Sequence, residues 1–173
     1  MSAVSNTPTN KNFLSPLGFK FQIKKAPHVN FFIQEVSIPG ISLEAVNYPN
    51  PFVNIPIGGD HINFDSLRIN FKIDEDLTNY IEIHNWITAI GKPQNFEQFR
   101  EIEQKPRYSG DGIYSDVSLI STTSSMVPNF EFVFADAHPV SLSGIQFNST
   151  DEDVNYVSAT ADFRYSYYTI SKI

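Results

Sequence analysis

Apolar and polar residues alternate with a period of two over most of this chain, the pattern of half-buried β-strands. The run Phe19 to Lys24 sets Phe19, Phe21 and Ile23 on one side and Lys20, Gln22 and Lys24 on the other. Ala26-Pro27-His28 predicts a turn into a strand from Phe31 to Ser37. That strand carries apolar residues on both faces, Phe31 and Ile33 against Phe32, Val36 and Ile38, so both faces are expected to be covered. Pro39-Gly40 ends it, because proline lacks the ladder N–H and glycine permits positive φ. Residues 42–52, with Pro49 and Pro51, predict a projecting loop or the tip of a long hairpin. Phe52 to Ile57 returns, Gly58-Gly59-Asp60 is expected to turn, and His61 to Phe64 begins a further strand. Leu67, Ile69, Phe71 and Ile73 then alternate strictly with Arg68, Asn70 and Lys72.

After Ile73 the period lengthens to 3.6, and a helix is predicted from about Leu77 to Ile90. Tyr80, Ile83, Ile87 and Ile90 form its stripe, widened by Trp86. Asp74 or Asp76 is expected to cap it, and Gly91 with Lys92-Pro93 to end it. Trp86 is expected to be buried. Asn95 to Gln104 predicts a short second helix with Phe96, Phe99 and Ile102 on one side. A loop follows over 106–116, then a strand over 116–121. Phe130, Phe132 and Phe134 mark a strand that Asp136-Ala137-His138-Pro139 is expected to break. Val140 to Asn148 reads as extended and 149–153 as an acidic turn. Tyr156 to Tyr168 reads as one long strand, with Val157, Ala159, Ala161, Phe163, Tyr165 and Tyr167 on one face. Thr169 to Ile173 reads as a tail. Residues 1–16 read as a flexible arm, docking through Phe13-Leu14, and 17–173 as a single domain.

Composition sharpens the β reading. Fifteen Phe, eight Tyr and one Trp make the chain of 173 residues 14% aromatic, and aromatic enrichment favours strands. With no cysteine, thiolate chemistry and disulfides are excluded. The first ten residues lack the basic and apolar regions of a signal peptide, and no apolar run approaches the ~20 residues of a membrane helix. The net charge of −7 argues against binding DNA by neutralising phosphates.

The sequence offers little to catalysis. His28, His61, His84 and His138 are scattered without metal-ligand spacing. No Gly-x-Ser-x-Gly elbow is present, and Gly58-Gly59-Asp60 and Gly110-Asp111-Gly112 lack the Lys and helix N-terminus of a phosphate cradle. Asp74-Glu75-Asp76 and Asp151-Glu152-Asp153 lack the ligand ladder of a calcium loop. Asn148-Ser149-Thr150 matches a glycosylation acceptor in form only. No cofactor and no metal are expected, and no enzymatic activity.

Several segments together resemble the tail tube proteins of contractile-tailed bacteriophages. They are Phe19-x-Phe21-x-Ile23; Val36-Ser37-Ile38-Pro39-Gly40-Ile41; Ile55-Pro56-Ile57-Gly58-Gly59-Asp60; Phe64-Asp65-Ser66-Leu67-x-Ile69-x-Phe71; the helix bearing Trp86; Phe134-x-Asp136-Ala137-x-Pro139; and Phe163-x-Tyr165-x-Tyr167. The likeness covers about 18–91 and 129–170, with no counterpart at 92–128. It implies a mainly β fold, an antiparallel sandwich or barrel-like domain with one flanking α-helix. It also implies a structural virion protein whose hexameric rings stack into the inner tail tube. The implied partners are further copies of the chain, the tail sheath protein, and baseplate and tail terminator proteins. DNA would pass through the lumen without specific binding, in a virion assembled in the host cytoplasm, and the chain itself would not insert into a membrane.

On this resemblance Leu43, Glu44, Val46, Tyr48, Pro49, Pro51 and Phe52 would reach an adjacent ring. Phe13, Leu14, Ile170 and Ile173 would support ring contacts. The acidic charge suits a conduit that must not hold its cargo, although Lys20, Lys24, Arg68 and Lys72 stand on polar strand faces. The same fold would also suit a tube initiator or a hub-proximal baseplate protein. A glycan-binding β-sandwich of a tail fibre is the reading from another class, and it requires Trp86 to be exposed.

Overall fold

The computed structural model describes residues 12–91, 97–105, 112–148 and 156–173. The first strand, β1 (Phe19–Ile23), buries Phe21 and Ile23 as the alternation requires. The chain then folds back through a short helix, α1 (Pro27–Phe32), with proline at its start, where a fixed φ and a missing N–H cost nothing. The Asn30 side chain holds this reversal by accepting from the Ile23 N–H at 2.8 Å and donating to the Ile23 carbonyl at 3.1 Å. The strand expected from Phe31 therefore begins later, as β2 (Ile33–Ser37). Phe31 and Phe32 pack edge to face at 5.0 Å on the helix, and Phe31 is 84% exposed. Their greasiness on both sides belonged to a helical turn, not to a covered strand.

After β2 the chain leaves the sheet as a hairpin, β3 (Ile41–Tyr48) and β4 (Ile55–Phe64), and returns in β5 (Leu67–Lys72). The expected turn at Gly58-Gly59-Asp60 lies inside β4 instead. There the register slips opposite Glu44, and a Cβ on Gly59 would collide with the Glu44 carbonyl. Glycine serves a bulge at this point rather than a reversal.

The main helix, α2 (Thr78–Gly91), has no acidic residue in its first turn. Asn79, not an acidic cap, ties its start to the sheet: it is buried, donates to the Lys72 carbonyl at 2.8 Å, and accepts from the Asp74 N–H at 3.4 Å. Ile83, Trp86 and Ala89 are buried on the same helix, with Tyr80, Ile87 and Ile90 packed at the flanks. The short helix α3 (Glu97–Glu103) falls inside the expected 95–104. Phe96, the Ile102 side chain, Lys92-Pro93, Gly110-Asp111, the acidic turn at 149–153 and the arm before Asn12 lie outside the described residues.

β6 (Ser115–Thr122), β7 (Pro128–Leu142), β8 (Ser158–Arg164) and β9 (Tyr167–Lys172) complete the fold. All pairings are antiparallel, in the order β1-β6-β7-β8-β5-β2, with β9 on the other side of β7. β7 belongs to both halves. Its first part lies between β6 and β9, and its last residues pair with β8. The expected break at Asp136–Pro139 does not occur. Asp136 takes φ 55°, the register slips between Pro139 and Ser141, and the strand turns from one half to the other without ending. Proline is tolerated at such an irregularity because no ladder N–H is required of it.

The last strand is likewise divided. The chain turns a corner at Tyr165-Ser166 between β8 and β9, so Tyr168 packs on the core while Tyr167 is exposed, and the expected tail is strand. Phe71, Phe134, Phe163, Ile23, Leu67, Ile69 and Ile83 fill the centre. Each such side chain contributes about 1.5–3 kcal/mol by burial. Trp86 is 2% exposed; its Nε1–H donates to the Ile113 carbonyl at 2.9 Å, its ring lies 6.1 Å from that of Phe163, and Lys25 Nζ sits 5.0 Å from its ring centroid.

Candidate assembly surface

The hairpin β3–β4 forms a separate two-stranded sheet, and every residue of β3 is exposed. A two-stranded hairpin alone in water is marginal, and this one is held at its root. Asp65 N–H donates to the Gly40 carbonyl at 3.2 Å, and Arg164 Nη1 donates to the Phe64 carbonyl at 3.1 Å. Phe64 packs against Tyr165 and Tyr168, each at 5.8 Å. Beyond the root the apolar residues pair across the strands. Ile41 faces Phe64 and Leu43 faces Ile62; past the bulge, Val46 faces Ile57 and Tyr48 faces Ile55. At the tip, the Asn50 side chain accepts from the Phe52 N–H at 3.4 Å, and Phe52 stands 95% exposed.

Leu43, Glu44, Val46, Tyr48, Pro49, Pro51 and Phe52 thus sit together on this projection and are all exposed. The other sequence-derived residues form a second patch. Phe13 and Leu14 line a groove of about 310 Å³ with Phe130 and Phe132, and Phe13 is 96% exposed. Ile170 is the β9 partner of Phe132, and the Ile173 N–H donates to the Asn129 carbonyl at 3.0 Å. The structure does not merge the two patches.

A third apolar feature escaped the sequence reading. A cavity of about 600 Å³ opens among Phe32, Ile73, Leu77, Ile145, Phe147 and Tyr156, with Lys72, Asp74 and Glu75 also lining it. It lies at the Lys72 end of β5, where β2 starts and β8 starts, whereas the hairpin springs from the Leu67 end. Phe147 and Tyr156 are 81% and 77% exposed. The signal available in sequence was this pair of aromatics bracketing a polar, acidic stretch.

The charged groups are spread along the surface. Arg68 forks onto Asp162 at 2.7 and 3.3 Å, which raises its pKa, and Lys72 Nζ donates to the Tyr156 carbonyl at 3.2 Å. His28 joins α1 to α2 through the Glu82 carboxylate at 2.5 Å, and that hydrogen bond raises the histidine's pKa. His61 contacts Asp60 on the hairpin, and the His138 ring lies 5.4 Å from Tyr114. Among the described residues, no group of three or more His, Asp or Glu side chains converges to hold a metal ion.

A family model described as phage tail tube protein matches residues 4–171. The chain belongs to the phage tail tube protein family. The match runs through 92–128, which the resemblance in sequence had left without a counterpart. The chain is thereby a tail tube protein, a structural component of a phage tail or related particle.

Solved structures share the fold. A chain of the anti-feeding prophage tube-terminating cap superposes with a TM-score of 0.58 at 11% identity, covering 100% of both chains. One from the sheath–tube complex of an extracellular contractile injection system, PVC, gives 0.56 at 13%, covering 100% of this chain and 99% of the other. One from the anti-feeding prophage baseplate gives 0.57 at 14%, covering 96% and 97%. No curated protein matches the chain. The mainly β fold with a flanking helix is the one the sequence pattern leads to, and Trp86 beneath α2 leaves no exposed indole for stacking on sugar rings.

Proposed function

We propose that this tail tube protein closes into hexameric rings that stack into the inner tube of a contractile tail, a structural rather than catalytic role. The β3–β4 hairpin carries the reading. It places Leu43, Val46, Tyr48 and Phe52 in water, far from the core, on an arm anchored firmly at its root. An exposed apolar projection of this kind is a docking element. Phe13, Leu14, Ile170 and Ile173 support contacts within the ring, with residues 1–16 as an arm and the remainder as one tube-building domain. Among the described residues, β1, β2 and β9 each pair along one edge only, and ring closure would cover the other.

A repeating tube subunit fits better than a tube initiator. Opposite ends of β5 each bear an exposed apolar feature, and a unit that repeats needs both. Sheath, baseplate and terminator proteins are the proposed neighbours in the particle, assembled in the host cytoplasm. The net charge of −7 favours passage of DNA through the lumen over its retention.

Negative-stain microscopy of concentrated protein is expected to show rings and tubes. Deleting residues 44–51 is expected to leave a folded protein, with an unchanged circular dichroism melt of the main domain, that no longer forms tubes. Normal tubes from the deletion variant would remove the hairpin from the stacking contact.

A further inference from the structure

We infer that the hairpin tip of one copy seats Phe52 in the Phe147–Tyr156 cavity of the next copy along the tube. The inference rests on the stacking proposed above and adds the receiving surface.

Three observations point to it. The first is position. The hairpin leaves and rejoins the fold where β2 ends at Ser37 and β5 begins at Leu67. The cavity lies at the other end of the same strands, beside Phe32 and Lys72. Six residues of β5 separate them by roughly 20 Å of strand, before the length of the hairpin is added. A hairpin rooted at one end of these strands stands apart from the cavity at their other end in its own molecule. It can enter that of a neighbour placed head to tail. Such a contact joins two different patches and, without rotation that closes it, propagates as an open stack.

The second is chemistry. No residue from Ala45 to Gly59 is charged. The tip presents Tyr48, Phe52 and Val53, all exposed. The cavity offers aromatic and aliphatic walls, and its volume of about 600 Å³ lies within the ~300–1,000 Å³ of pockets that enclose ligands. Lys72, Asp74 and Glu75 also line it, one cation against two acids, and an uncharged tip brings no like charge against them.

The third is area. Two aromatic side chains and a valine bury on the order of 400 Å² of tip. With the matching wall, one contact comes to about 800 Å², below the ~1,200–2,000 Å² of a stable protein pair. One tip in one cavity is therefore too small to hold two free subunits together. Repeated by every subunit around a ring, the contacts add through effective concentration. Two isolated subunits stay apart while two rings adhere.

The chain has no cysteine, so paired thiols report the contact directly. The double variant Phe52→Cys with Tyr156→Cys, assembled and then treated with a mild oxidant, is expected to give a ladder of dimer, trimer and longer species on a non-reducing gel. Each single variant, whose one thiol faces no thiol across a head-to-tail contact, is expected to stay monomeric, as is the dilute double variant. All substituted side chains are exposed, so the fold is retained. Tubes that form normally without a ladder overturn the cavity assignment while leaving hairpin stacking intact. Tubes from the 44–51 deletion variant overturn stacking through the hairpin, and the cavity assignment with it.

Should one single substitution alone stop tube growth, its rings are expected to cap and shorten the other variant's tubes, and full-length tubes would overturn the inference; should both stop it, mixing the two variants decides. Rings with an altered tip keep a native cavity, and rings with an altered cavity keep a native tip. The mixture is then expected to yield paired rings and nothing longer. Single rings throughout would overturn the inference.

Discussion

Trp86 is the residue on which helix and sheet meet. It is buried, hydrogen-bonded through Nε1 and in contact with Phe163. Trp86→Ala is expected to cost about 3–5 kcal/mol, measured as a fall in the denaturation midpoint, and the wild-type emission is expected to shift to the red only on unfolding. Tyr165 reports on the corner between β8 and β9. Burial, with Tyr168 and Asp65 nearby, pushes its phenol up to about 12 from an ordinary 10.0. A raised pKa means the fold favours the protonated form. The contribution is complete below pH 10.0 and is lost as pH climbs through about 12. Tyr165→Phe is therefore expected to flatten the alkaline fall in stability over that window. Its hydroxyl has no hydrogen-bond partner among the described residues, so the variant is expected to be no less stable at neutral pH. The indole's burial was legible from its place in a helical stripe. The tyrosine's was legible only in part, because the corner at Ser166 moves Tyr168 inward and Tyr167 outward, and no local signal marks that exchange.

Among the elements, the hairpin proposed for stacking stands apart from the core. Gly59→Val places a Cβ against the Glu44 carbonyl inside the bulge. It is expected to distort β3–β4 while shifting the melting temperature by no more than a degree or two, because none of the core residues lies there. Tube yield, scored by sedimentation, is expected to collapse. Retained tubes would show that the bulge geometry is not needed. β1, β5, β6 and α2 followed from period alone, since one covered face imposes a strict repeat. The start of β2 did not: Pro27 and Asn30 impose a helical turn where the apolar run read as strand. The unbroken course of β7 did not either. Asp136 reads as a breaker, yet it takes a left-handed conformation that aspartate tolerates better than most residues, and pairing with β8 resumes beyond it. Gly58-Gly59 read as a turn because a bulge and a reversal call for the same residue.

At the scale of the whole molecule, a lone subunit leaves Phe13, Phe31, Phe52, Phe147 and Tyr156 in water. A hydrophobic dye is expected to bind the dilute protein and to be released as tubes grow, with the release tracking the scattering signal. A dye signal unchanged by assembly would mean that these patches are not what assembly covers. The exposure of Tyr48 and Phe52, the aromatics of the proposed stacking contact, was legible from their place on one projecting, proline-dotted loop. The cavity at the Lys72 end of β5 was not, because Phe32, Ile73, Ile145 and Tyr156 come from four separate stretches that only the topology unites. The seam strand β7 carries a mechanical implication. It is hydrogen-bonded to β6 and β9 over one part and to β8 over another, so tension passing between the two halves runs along covalent backbone rather than across a ladder. In a tube built as proposed, pulling is expected to part whole subunits from one another before it unravels them.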